Sequence, residues 1–92
     1  MVNSNSFLGQ KIFALRTSHR ERRKQMAANL GITTSQLQCY EQGAVAPPVS
    51  LIDQLARTYN VSYHDWAELR SVAENAELQE VFNYGQSINA TS

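Results

Sequence analysis

The part of the chain that most constrains its fold is residues 22–43, which read RRKQMAANLGITTSQLQCYEQG. Apolar residues recur there at helical spacing on both sides of a glycine: Met26, Ala27 and Leu30 before it, Leu37 and Tyr40 after it. Gly31 stands where a helix must end and the chain must reverse, in a left-handed conformation that a residue without a Cβ adopts at no steric cost. The pattern therefore predicts two short helices, over residues 22–30 and 33–42, joined by a tight turn.

The second predicted helix carries small polar side chains on the side that its apolar residues leave exposed. These side chains belong to Thr34, Ser35, Gln36 and Gln38, with Cys39 at the edge of the row. Thr33 is a suitable N-cap, because its hydroxyl can accept a free backbone N–H. Two helices joined in this way can place the second one in the major groove of DNA, where small polar groups contact base edges. The same pattern also fits a helical hairpin in a small bundle that never meets DNA.

Charge is distributed unevenly along the chain, although its formal net charge is zero. Residues 1–46 carry six basic and two acidic side chains, whereas residues 47–92 carry two basic and six acidic ones. Three of the basic residues, Arg22, Arg23 and Lys24, fall at the start of the first helix of the pair. Their position suits contacts with DNA phosphates. A charged, solvated loop is the alternative interpretation of this cluster.

A chain of 92 residues has room for one domain. Apolar periodicity predicts three helices besides the central pair: the first over residues 7–18, a fourth over about 48–60, and a fifth that buries Trp66 and Leu69. The sequence thus predicts an all-α, five-helix domain over residues 7–70.

A second apolar set follows this domain, within residues 71–84. Val72 can continue the fifth helix, and the rest of the set, Leu78, Val81, Phe82 and Tyr84, lies in a segment that fits either a helix or a strand. Apolar residues left over once a core is complete often form an oligomer contact. We therefore expect a short C-terminal dimerisation segment here, and packing back onto the same domain is the alternative. Residues 1–6 and 85–92 are predicted to be flexible ends.

The sequence does not contain the motifs that are typical of several other classes of protein. The single cysteine cannot form an internal disulfide, and no Cys/His spacing suits zinc. No apolar run is long enough to span a bilayer, and no signal-peptide pattern opens the sequence. The two histidines have no companion nucleophile, and no acid pair or glycine-rich loop suits catalysis. We therefore expect no enzymatic activity, no catalytic residues, no metal, no cofactor and no membrane partner, and a location in a reducing cytoplasm.

Motifs spread over about two-thirds of the chain resemble a known family. In order they are L-G-Q-K-I-F-A-L-R, Q-M-A-x-x-L-G-I-T, L-Q-C-Y-E-Q-G, P-x-x-x-L-I-x-x-L-A, and N-V-S with Trp66 after it. Together they make residues 8–69 similar to the helix-turn-helix domain of the Cro/C1 class, the group of the phage lambda and 434 repressors and many small bacterial regulators. The resemblance implies the five-helix, lambda-repressor-like DNA-binding fold.

The resemblance also implies roles for individual residues. Arg16 and Glu41 match an arginine and a glutamate that pair in relatives and hold the first helix to the third. Arg23 stands where relatives carry a residue that holds a phosphate, and an arginine keeps that role. Glu21 departs from the family, whose members usually have an apolar residue just before the second helix.

In this resemblance the third helix reads the bases. Thr34, Ser35 and Gln38 fall at base-reading positions, and Gln36 lies nearer the phosphates. Cys39 can touch a thymine methyl group but cannot make a bidentate contact with adenine. The loop at residues 44–46 lacks the basic residues of many relatives and offers only backbone N–H groups.

These observations predict a sequence-specific regulator of transcription that binds double-stranded DNA. We expect a repressor that binds a palindromic operator as a homodimer, with its third helices about 34 Å apart, in the bacterial cytoplasm at the nucleoid. A protein antagonist would be a further partner. The first alternative is an antitoxin that regulates its own operon and docks a basic toxin through its acidic half: Asp65, Glu68, Glu74, Glu77 and Glu80. The second alternative is a protein-interaction module that does not bind DNA.

Overall fold

The computed structural model describes the backbone of residues 4–91 and the side chains of residues 4–78, and its regular structure is entirely helical. The described part of the chain forms five helices and no strand: α1 (Ser4–Ser18), α2 (Arg23–Leu30), α3 (Thr34–Glu41), α4 (Val49–Thr58) and α5 (Tyr63–Thr91). The predicted all-α, five-helix architecture is confirmed.

The turn between α2 and α3 has the predicted conformation. Gly31 lies in the left-handed region with a φ of 69°. The backbone N–H groups of Gly31 and Ile32 return to the carbonyls of Ala28 and Ala27, at 3.2 and 3.0 Å. These bonds satisfy carbonyls that a helix end would otherwise leave without a partner. Both helices fall within one residue of their predicted bounds.

The first helix begins earlier than predicted, at Ser4 instead of residue 7. The additional turn packs against the loop that follows α3. A Cβ added at Gly43 would lie 3.1 Å from the Cα of Ser6, which shows how closely the two backbones approach there. Of the predicted flexible ends, residues 4–6 and 85–91 are helical, and residues 1–3 and 92 lie outside the described residues.

The buried core consists of two clusters. The first lies among α1–α4 and contains Ile12, Met26, Ala27, Leu30, Leu37, Leu51, Leu55 and Tyr59. The second joins α1, α4 and α5 through Leu8, Ile52, Leu69 and Ala73. Leu69 is buried as predicted. Trp66 is half-buried instead, and its indole Nε1–H donates to the Asp53 carboxylate at 2.8 Å.

The fifth helix continues through the segment whose secondary structure the sequence left open. Its 29 residues correspond to a length of about 44 Å. Ala73 is fully buried, and the Glu77 carboxylate accepts a hydrogen bond from the backbone N–H of Val49 at 3.1 Å. Packing against the domain therefore continues past residue 70.

This packing separates the residues predicted to form a dimer contact. Val72 is half-buried against the second cluster of its own domain, as the alternative of packing back onto the domain expects, and its part in an oligomer contact stays a prediction. Leu78 has 67% of its surface exposed and remains free for a partner. The side chains of Val81, Phe82 and Tyr84 lie outside the described residues.

Close packing at Gly9 determines the position of α3. A Cβ at this residue would come within 2.7 Å of the Glu41 carbonyl oxygen, and it would also clash with that of Tyr40. The absence of a side chain at Gly9 therefore allows α1 and the end of α3 to touch backbone to backbone. Among residues 4–91, no helix is both long and apolar enough to cross a membrane.

Candidate nucleic-acid interface

The start of α3 is held by a reciprocal pair of hydrogen bonds. The Thr33 hydroxyl accepts from the backbone N–H of Gln36 at 3.0 Å, and the Gln36 side-chain oxygen accepts from the backbone N–H of Thr33 at 2.9 Å. This capping box satisfies two backbone donors at the helix end. Thr33 is therefore the N-cap that the sequence indicates, and the side chain of Gln36 is held at the cap with its amide N–H groups free for a ligand.

Beyond this cap, α3 presents a bare polar surface. Leu37 is fully buried and anchors the helix, while the opposite side is exposed: Thr33, Thr34, Ser35, Gln36 and Gln38. Cys39 is half-buried beside them. Within the described part of the chain, the side chains of Thr34, Ser35 and Gln38 form no hydrogen bond and are not covered. Their donors and acceptors are available to an external ligand.

Behind this surface, one carboxylate joins three helices. Arg16 from α1 donates to both oxygens of Glu41, at 2.7 and 3.1 Å. Arg23 from α2 donates to the same carboxylate through Nε at 3.2 Å. The Glu41 side chain is 3% exposed and that of Arg16 is 11% exposed. The structure thus contains the ion pair expected between Arg16 and Glu41, and it adds Arg23, which the sequence did not place there.

This contact leaves Arg23 able to bind an anion. Its side chain is 34% exposed, and in residues 4–78 its two Nη groups have no hydrogen-bond partner. Two guanidinium groups share one carboxylate, so the cluster retains a net positive charge. Because one end of the Arg23 guanidinium is held by Glu41, a phosphate would meet a group whose position is already restricted.

Further positive charge surrounds the start of α2. Arg22 and Lys24 are exposed, as is Arg20 in the preceding connection, and none of the three forms an ion pair within the described residues. Gln25 closes this end of the helix, since its side-chain oxygen accepts from the backbone N–H of Arg22 at 3.1 Å. The basic side chains are therefore free to interact with an anionic partner.

A separate polar cluster explains the unusual acid at position 21. The hydroxyl of Tyr59 donates to one oxygen of Glu21, and the Asn29 amide donates to the other at 3.2 Å. The Asn29 amide also donates to the Tyr59 hydroxyl at 3.1 Å. The His19 ring packs edge-on against the tyrosine ring, with 5.1 Å between the two ring centroids. Burial and the contact with Glu21 raise the pKa of Tyr59. This cluster fastens the α1–α2 connection to the end of α4.

The acidic half of the chain is partly neutralised by its own contacts. Arg70 donates to Asp53 and to Glu74, each at 2.7 Å, and Asp53 also accepts from Trp66. The hydrogen bond to Glu74, followed by the charge of Asp53, raises the pKa of Arg70. Of the acids expected to face a basic partner, Glu74 and Glu77 therefore already have partners within the chain. Residues 4–78 contain no cluster of His, Cys, Asp or Glu arranged to hold a metal ion.

Comparison with known families agrees with this geometry. A family model described as a helix-turn-helix domain matches residues 8–77. The chain therefore belongs to the helix-turn-helix domain family, a class of DNA-binding proteins that typically have no enzymatic activity. The match ends at the residue whose carboxylate caps α4, so the domain includes the first half of α5. No curated protein and no solved structure gives a significant match.

Proposed function

We propose that this protein is a sequence-specific transcriptional regulator of the Cro/C1 type, which binds double-stranded DNA as a homodimer and represses transcription by occupying promoter sites. The observation that carries the proposal is the exposed side of α3, where the side chains of Thr34, Ser35 and Gln38 have no hydrogen-bond partner within the described residues. It belongs to a helix-turn-helix domain and lies next to unpaired basic residues. Such a regulator acts in the bacterial cytoplasm at the nucleoid.

Base recognition is assigned to the first turns of α3. Gln38 offers a donor and an acceptor on one amide, the combination that forms two hydrogen bonds with adenine in the major groove. Thr34 and Ser35 provide hydroxyls that can donate or accept. Gln36 plays a smaller part, because the capping box occupies its oxygen.

Backbone binding is assigned to the start of α2. The tethered guanidinium of Arg23 holds a phosphate, and Arg22 and Lys24 add attraction at longer range. Because Glu41 already restricts Arg23, less side-chain freedom is lost when the phosphate binds. These contacts set the position of the domain on DNA and do not distinguish between base pairs.

The dimer contact is assigned to the second half of α5. In a helix, positions 78, 81 and 82 share one face because of their spacing, and Leu78 is exposed at the start of this set. A paired α5 would join two domains whose α3 helices meet successive turns of a palindromic site. Val72 is not assigned to this contact here, since part of its side chain packs within its own domain.

Selection from a pool of random duplexes by the native chain tests the proposal. The expected result is an enriched palindromic site whose half-sites are spaced by about one helical turn. Arg23→Ala should then weaken binding to selected and random duplexes by a similar factor and reduce the salt dependence by about one unit. Arg57→Ala, an exposed arginine on α4, is the matched control. Recovery of no enriched sequence would overturn the proposal.

An antitoxin is the second candidate, and one surface groove favours it. The groove lies between α1 and α5 and has a volume of about 330 Å³. It combines apolar Leu15, Val61 and Leu69 with two acidic residues, Asp65 and Glu68, and one basic residue, Lys11. Apolar and acidic groups together suit a basic amphipathic segment of a toxin. Coexpression with the product of the adjacent gene tests this function. A complex that Glu68→Lys disrupts would support it, and separate elution of the two native proteins would exclude it.

A further inference from the structure

An open groove runs along α3 on the side of the loop that follows it. Its lining residues are Ser35, Gln36, Cys39 and Tyr40 from the helix and Val45 from the loop, and its volume is about 280 Å³. Ser35 and Cys39 are four residues apart, so they lie one above the other on the helix. The groove therefore begins beside the first turn of α3, where base contacts are assigned.

The exposure of Val45 shows that the groove has an apolar side. Its side chain is 49% exposed, and within residues 4–78 it is one of four large apolar side chains that face solvent. The other three, Phe13, Tyr63 and Leu78, do not line this groove. A single exposed valine is ordinary on a protein surface. This one stands beside half-buried Cys39 at the edge of the helix assigned to DNA.

Only one group on the major-groove edge of DNA matches such a surface. Thymine carries a methyl group at C5, whereas the other groups displayed there are hydrogen-bond donors and acceptors. A cytosine in the same place has no methyl group and would leave the apolar side of the groove unfilled. The loop has no basic residue at positions 44–46, so its contribution to binding comes from shape and apolar contact.

We infer that this groove accepts the 5-methyl group of a thymine in each half-site and that Val45 is a specificity-determining residue. The inference rests on the proposed DNA-binding function and names a feature of its target. Thymine is selected at one position because Val45 and Cys39 remove its methyl group from water. Burial of one methyl-sized group corresponds to about 0.8 kcal/mol, or roughly a fourfold change in affinity.

The test begins with the duplex that the native chain enriches from a random pool. Each thymine in a half-site is replaced in turn by uracil, which removes the methyl group and leaves every hydrogen-bonding group in place. We expect one position at which the replacement weakens native binding by about fourfold. Two further duplexes carry 5-methylcytosine or cytosine in place of that thymine. The native chain should bind the 5-methylcytosine duplex more tightly, because the methyl group returns to the same edge of the groove.

Variants then connect this effect to the groove. The Val45→Ala variant should bind the thymine duplex more weakly than the native chain does, and it should bind the uracil duplex as tightly as the native chain does. Its affinity would then no longer depend on the methyl group. Val45→Thr keeps the shape of the side chain and should retain part of the dependence. Tyr63→Ala removes another exposed side chain, 78% exposed at the start of α5, and should keep the full fourfold effect.

The possible results distinguish a failure of the thymine site from a failure of the proposed DNA-binding function. An enriched duplex in which every uracil replacement is neutral, or in which native chain and Val45→Ala respond equally, would overturn the thymine site and leave DNA binding intact. A Val45→Ala variant that loses affinity equally on thymine and uracil duplexes would place Val45 against the sugar-phosphate backbone and would also contradict the inference. Failure to enrich any duplex would overturn both.

Discussion

The two arginine clusters of this domain differ in burial and therefore in what they control. Arg16 and Arg23 share Glu41, whose side chain is 3% exposed, and together they join α1, α2 and α3. Arg70 joins α4 and α5 through Asp53 and Glu74, and its own side chain is 38% exposed. Water competes with the second cluster but hardly reaches the carboxylate of the first. The position of α3 therefore depends on a buried charge, whereas that of the long helix α5 depends mainly on apolar packing.

The largest effect is expected from removing the shared carboxylate. Glu41→Ala leaves two guanidinium groups without their partner, one of them in a site that is 11% exposed. Removing one member of a buried pair costs about 3–5 kcal/mol, because the remaining charge is uncompensated. Urea denaturation should show this loss in the free energy of unfolding. A variant as stable as the native chain would show that the carboxylate contributes little.

A smaller loss of stability is expected from the cluster at Tyr59. The group removed there is a neutral hydroxyl that donates a hydrogen bond, whereas Glu41→Ala removes one member of a buried ion pair. Tyr59→Phe removes the hydroxyl that donates to Glu21 and should cost about 1.5–3 kcal/mol at neutral pH, as is typical of hydrogen bonds to charged groups. Thermal unfolding monitored by circular dichroism measures the change. An unaltered melting temperature would mean that Asn29 and water satisfy Glu21 equally well.

The same tyrosine gives the native chain a pH dependence at alkaline pH. Its folded-state pKa is raised above the ordinary value of 10.0 by burial, so the unfolded chain loses this proton first. The stabilising contribution is therefore complete below pH 10 and declines as pH rises toward the folded-state pKa. Denaturation at a series of pH values should show a steeper alkaline decline for the native chain than for Tyr59→Phe. Equal slopes would contradict the assignment.

The smallest effect is expected from the exposed arginine. Arg70→Ala breaks the contacts with Asp53 and Glu74, but water can solvate both carboxylates once the arginine is gone. Its unfolding midpoint in urea should stay close to that of the native chain at moderate salt. A loss as large as that of Glu41→Ala would remove the distinction between the two clusters.

Local signals in the sequence account for much of the fold and of the candidate site. Gly31 predicts the turn and Thr33 predicts the cap because each acts on backbone groups within a few residues. The pair of Arg16 and Glu41 came from the family resemblance, since spacing alone does not reveal a contact across 25 residues.

The remaining features depend on contacts between distant parts of the chain. Arg23 meets Glu41 and Tyr59 meets Glu21 only after α2 and α4 have packed. The signal in the sequence for the contact between Tyr59 and Glu21 was the position of Glu21, an acidic residue within the basic stretch of residues 20–24. The extent of α5 stayed open in the sequence for a similar reason. The spacing of Val72 fits both a longer helix and a surplus apolar residue, and only the fold shows that it packs with residues of α1 and α4.

We propose that the bare side of α3 distinguishes between DNA sequences. A single experiment compares the sequences enriched from random duplexes by the native chain, by Gln38→Ala, and by Asn75→Ala, which removes an exposed amide on α5. Gln38→Ala should change the preferred base at one position of each half-site, whereas Asn75→Ala should enrich the native sequence. Identical profiles from all three proteins would contradict base recognition by this helix.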